Sequence, residues 1–130
     1  GTGNTSNDRI SVTMPDAEVT FVLDSDTLNK IRRAAGALGH NEISISNTQG
    51  AVRVSVIDSD NATSNIFSID VEGSYPEGVN FKFIMNVNNL KVVSEDFDVQ
   101  ISSKLISRFT SRQSDIEYYI ALEKSSTYGE

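Results

Sequence analysis

The chain has no cysteine and no tryptophan, and its 130 residues include one histidine and two prolines. Without thiols there is no disulfide, no thiolate nucleophile and no cysteine zinc site, which agrees with a reducing compartment. The single histidine, His40, excludes two-histidine metal sites. It stands where a helix is expected to end, so capping or surface exposure accounts for it better than catalysis. No apolar run approaches the roughly 18 residues of a membrane span, and no basic start with an apolar middle marks a signal peptide. The chain therefore reads as soluble and intracellular. A glycine-rich phosphate loop, a GxSxG elbow and a catalytic carboxylate pair are absent too, so no active site is visible. What is present is a hydrophobic content of 38%, enough for one domain with its own core.

Eighteen acidic residues against eleven basic ones give a formal charge of −7 and a pI near 4.6. One stretch runs against that average. Asp24 to Leu38, DSDTLNKIRRAAGAL, reads as a helix opened by Asp24 or Ser25, with Leu28, Ile31, Ala35 and Leu38 forming a buried stripe. Asn29, Lys30, Arg33 and Ala37 fall on the far side and Arg32 on the flank, with no carboxylate between Thr27 and Asn41. A basic strip on an acidic body suits contact with a polyphosphate. A solvated helix face that happens to be basic would look the same.

Around this helix the chain is strand-rich. Gly1 to Asp8 is small and polar and is expected to be disordered; Ile10, Val12 and Met14 alternate along an extended linker. Strands are expected at Ala17–Leu23, Ile43–Ser46, Ala51–Ile57, Ser64–Glu72, Val79–Met85, Phe97–Ser103, Leu105–Thr110 and Ile116–Glu123. Ser64–Glu72 carries mixed residues on both sides and reads as an edge or pairing strand. Gly39 should cap the helix, and Asn86 should cap a second, shorter one, NVNNLKVV, to Val93.

Three acidic or polar clusters are candidate sites. Asp58 and Asp60 open like a calcium loop, but Ile69 stands where the bidentate glutamate belongs, so a turn is expected. Glu95, Asp96 and Asp98 could hold a cation, although solubility at a strand entry explains them. Asn61-Ala62-Thr63 fits a glycosylation acceptor without any sign of secretion.

Taken together with LNKIRRAAGALG from Leu28, which is similar to the first helix of the second domain of cellular sliding clamps, FKFIMNVNNLKVV at Phe81 to Val93 and EYYIALEKSST at Glu117 to Thr127 resemble the C-terminal domain of the T-even phage sliding clamps. Those are trimeric rings that tether DNA polymerase to its template. The resemblance spans roughly Asp16 to Thr127. It implies an α+β clamp domain, an antiparallel sheet with two short helices on one face in the order β-α-β-β-β-β-α-β-β-β. No cofactor, no metal and no catalytic activity are implied.

Carried over by position, Lys30, Arg33, Arg32 and Lys91 would face duplex DNA without reading sequence. The strand Ser64, Asn65, Ile66, Phe67, Ser68, Ile69, Asp70 and Val71 would pair across the subunit boundary. Tyr119, Ala121 and Leu122, with Val12 and Met14 of the linker, would wall a pocket for peptides of the polymerase and clamp loader; core packing is the competing role for Tyr119 and Leu122. The family carries two such domains per subunit. Residues 1–15 therefore read as a flexible remnant of an interdomain linker, 16–127 as one clamp domain and 128–130 as a tail. The full-length family is a homotrimer, and this single domain is expected as a monomer or dimer. The implied location is the cytoplasm of an infected bacterium, with no membrane partner. A β-rich phage structural protein assembling through Ser64–Val71, without a DNA role, is the alternative. A metal-assisted hydrolase built on Asp58 and Asp60 is a third and weaker one.

Overall fold

Strand β1 (Val19–Leu23) runs directly into helix α1 (Ser25–Leu38), because Asp24 turns its carboxylate back to accept a hydrogen bond from the Thr27 N–H at 2.8 Å. The computed structural model describes residues 16–38, 42–58, 61–90 and 94–129, without the side chains of Leu38, Asp58 and residues 61–66. Expectations placed on Val12, Met14, Gly39, His40, Asp60 and Lys91 lie outside these residues. After α1 come β2 (Glu42–Thr48), β3 (Ala51–Asp58), β4 (Asn61–Val71) and the two-residue β5 (Gly73–Ser74). Strand β6 (Phe81–Asn86) leads into a 3-10 helix at Val87–Leu90, followed by β7 (Phe97–Ser102), β8 (Ile106–Ser111), β9 (Glu117–Ala121) and the short β10 (Thr127–Tyr128).

The strands form two five-stranded sheets, β5-β1-β7-β8-β9 and β10-β6-β2-β3-β4, with every described pairing antiparallel. The single sheet expected from the sequence is thus two. Alternation records that one face of a strand is buried, but β1 pairs with the distant β7 (Phe21 opposite Val99) while the chain beyond α1 joins the other sheet. The topology is also duplicated. β1-α1-β2-β3-β4-β5 in one half corresponds, element for element, to β6, the 3-10 helix and β7 to β10 in the other. Each half gives its first and fifth strands to one sheet and the rest to the other.

The inner faces of the sheets meet in one core. Val19, Phe21, Phe97, Val99, Ile101, Phe109 and Ile120 come from one sheet, and Ile43, Ile45, Val52, Val54, Val56, Phe81, Phe83 and Met85 from the other. Leu28, Ile31 and Ala35 of α1 and Leu90 of the 3-10 helix join the same cluster. Over its described residues, Val87–Leu90, the second helix is 3-10, tighter than the α-helix the sequence suggests. The Asn86 carboxamide accepts from the Asn88 N–H at 2.8 Å, a local turn that competes with α-helix, and valine and asparagine add little helix propensity. Gly73 marks the crossing between sheets. Val71 still pairs with Val52, Gly73 already pairs with Phe21, and one residue separates them.

Candidate nucleic-acid interface and sheet edges

The exposed surface of α1 is a narrow stripe. Asp26, Lys30, Arg33, Gly36 and Ala37 are exposed, whereas Thr27, Leu28, Ile31 and Ala35 are buried. An acidic residue heads this stripe: the Asp26 carboxylate pairs with the Lys30 ammonium at 3.2 Å, one helical turn away. The sequence reading, which counted from Thr27, missed that partner although its spacing was legible. Arg33 is exposed and makes no ion pair among the described residues.

The segment after the 3-10 helix holds α1 in place. The Asp96 carboxylate accepts from the Ser25 N–H at 2.7 Å and from the Gln113 side-chain amide at 2.7 Å. Those hydrogen bonds, with the Ser25 amide first, hold its pKa below the usual carboxylate range. Arg32, placed on the helix flank by the sequence, turns toward this segment: its Nε donates to the Leu90 carbonyl at 2.8 Å and its Nη1 to the Ser94 hydroxyl at 3.5 Å. The Ser94 hydroxyl in turn donates to the Asn29 carboxamide at 3.3 Å. The 3-10 helix therefore abuts α1, and Lys30 and Arg33 project from a braced element.

The neighbouring acids are spoken for. Glu95 accepts from Ser111 and Ser114, Asp96 caps α1, and Asp98 takes both Nε and Nη2 of Arg112. Among the described residues no group of three potential metal ligands converges. An open groove of about 660 Å³ crosses the outer face of the first sheet beside Thr20, Glu72 and Gln100. Its two arginines are already engaged, Arg112 with Asp98 at 2.9 Å and Arg108 with Glu117 at 2.5 Å.

Strand β4 is an edge: β3 occupies one side, and no described strand pairs with the other. Phe67, Ile69 and Val71 pack toward the core, whereas Ser68 and Asp70 are exposed. The outward pair is tied back to β3, Ser68 to Ser55 at 2.9 Å and Asp70 to Arg53 by two hydrogen bonds at 2.8 and 3.2 Å. That fork lowers the Asp70 pKa and raises that of Arg53. Strand β9 is the corresponding edge of the first sheet.

Tyr119, Ala121 and Leu122 do not share a surface. Tyr119 and Ala121 lie on the outer face of β9, opposite Arg108 and Ile106, while Leu122 is 7% exposed within the core cluster. Tyr118 also faces inward, its ring 5.9 Å from Phe97. Ile106 is the apolar neighbour that sequence reasoning missed. Its signal was an inverted alternation in β8, where Ser107 is fully buried and satisfied by donating to the Ile120 carbonyl at 2.8 Å.

The class is an α+β domain of two duplicated antiparallel five-stranded sheets, with β4 and β9 as the long strands at their edges and one braced basic helix. The family profile described as "gp45 sliding clamp, C terminal" matches residues 20–124. A curated sliding clamp from Vibrio phage KVP40 is 30% identical over 110 residues, which cover 83% of this chain and 48% of that protein. The chain belongs to the gp45 sliding-clamp C-terminal family. It spans about half the length of the curated relative it matches.

Proposed function

We propose that this chain is the C-terminal half of a phage processivity factor, a domain that helps a ring encircle duplex DNA and tether the replicative polymerase. The match over residues 20–124 carries the reading. The physics of the surface suits it. A ring that must slide needs diffuse attraction to phosphates without base contacts, and exposed Lys30 and Arg33 beside the small Gly36 and Ala37 supply that. Lys91 would join them. In this reading α1 and the 3-10 helix line the hole, and Arg32 acts by bracing rather than by touching DNA.

The ring would close by strand addition at the β4 edge, Ser64 to Val71, as expected for a family homotrimer of two-domain subunits, with residues 1–15 as linker and 16–127 as the domain. Tyr119 and Ala121, with Ile106 beside them, would contribute to the pocket for polymerase and clamp-loader peptides together with Val12 and Met14; Leu122 would support it from the core. The domain would catalyse nothing itself and would work in the cytoplasm of the infected host. The test is titration of the chain with duplexes of unrelated sequence at low salt, read by amide shifts on α1. Shifts independent of sequence that vanish with added salt are expected. Their absence in about 20 mM salt, or a preference for one sequence, would overturn the reading.

A further inference from the structure

Asp26, Lys30 and Arg33 stand on one exposed stripe of α1, each one helical turn from the next. Asp26 is 75% exposed and its carboxylate oxygen lies 3.2 Å from the Lys30 ammonium, which is itself 47% exposed. A phosphate approaching Lys30 must therefore displace a carboxylate that already occupies its position. An exposed pair of this spacing holds its ammonium by only about a factor of two, so the exchange is easy and reversible. Arg33, without such a partner among the described residues, is available to a phosphate.

We propose that Asp26 is a built-in competitor for the DNA backbone, which weakens and shortens the contact Lys30 makes with any one phosphate. The proposal rests on the clamp reading and extends it to a residue that opposes binding. The physical logic is that a sliding contact must break as readily as it forms. An internal counter-anion one turn away lowers the gain from each phosphate and takes the ammonium back when the phosphate moves on. Some counterion release is also forgone, because Lys30 arrives at DNA already neutralised.

The test uses the whole chain, a random-sequence duplex and fluorescence anisotropy over about 20 to 150 mM salt. Asp26→Asn should tighten binding about three- to tenfold at the low end and steepen the salt dependence by about one counterion. Asp26→Glu keeps the pair and should stay within about twofold of the parent. Glu77→Gln, which removes one exposed charge in a distant loop, should change nothing. In a Lys30→Gln background the Asp26→Asn gain should vanish, since the two residues act on one phosphate. An Asp26→Asn gain that persists without Lys30, or no gain while Lys30→Gln weakens binding, overturns the proposal and leaves the clamp reading intact. No binding by any variant, or binding untouched by joint Lys30→Gln and Arg33→Gln, overturns both.

Discussion

Gly73 joins the two sheets at a point with no room for a side chain. A β-carbon built there would lie 2.6 Å from Val52 Cγ2, 2.7 Å from the Thr20 carbonyl oxygen and 2.8 Å from Phe21 Cβ. None of the three can yield cheaply: Val52 and Phe21 are 0% and 4% exposed, and the carbonyl belongs to the backbone of β1. Overpacking of this kind costs about 1–3 kcal/mol, and with backbone among the obstacles the expectation for Gly73→Ala is about 3 kcal/mol. In a chain of this size that lowers the thermal midpoint by roughly 10 °C. Urea unfolding followed by circular dichroism measures it directly, with Gly36→Ala as the opposite case. Gly36 lies inside α1 with nothing within 4 Å of its added β-carbon, so alanine should stabilise by about 0.5–1 kcal/mol. A Gly73→Ala midpoint within error of the parent, or equal effects of the two alanines, would refute the account of the sheet crossing.

Two further outcomes follow from the packing. Glu42 shares a hydrogen bond with the Glu123 carboxyl, is partly buried, and feels the charge of Glu123, which together push its pKa from 4.5 up to about 6. The folded state thus holds a proton that the unfolded chain has released, so this pair's contribution to stability falls as pH rises from 4.5 through 6 and stays low above that. Glu42→Gln should flatten that slope and raise the urea midpoint at pH 8; a parent-minus-variant difference that is constant from pH 4 to 8 would refute it. Leu122→Ala, just past the end of β9, should cost about 2–4 kcal/mol, and Tyr119→Ala, on the outer face of β9, less than about 1 kcal/mol. Tyr119→Ala should weaken binding of a polymerase C-terminal peptide by calorimetry, and equal stability losses for the two variants would show that Tyr119 is core after all.

The parts of the fold that were legible are those written in short range. Asp24, the spacing of Leu28, Ile31 and Ala35, and the alternation of Val52, Val54 and Val56 foretold α1 and the β2–β3 hairpin. Leu90 is buried, on a 3-10 turn where the sequence suggests an α-helix. The candidate interface was legible only in part. Lys30 and Arg33 are exposed as expected, but the Asp26 partner and the inward bracing by Arg32 depend on side-chain reach and on what lies beside the helix. The split of Tyr119 and Ala121 from Leu122 follows from strand alternation, which a reading of the three as one motif passed over.

The sequence by itself determined the local elements, the one basic helix and its apolar stripe, and the absence of thiol or two-histidine chemistry, because each of these is set by residue type and spacing. Tertiary structure alone decided that there are two sheets rather than one, that β1 lies beside β7 and β6 beside β2, that Gly73 is where the chain changes sheets, and that β9 is an edge, whereas the mixed faces of Ser64–Glu72 already marked β4 as an edge or pairing strand. The physical reason is that strands pair through backbone amides and carbonyls common to every residue. A side-chain pattern records which face of a strand is buried, and only the closed core shows which strand lies next to it.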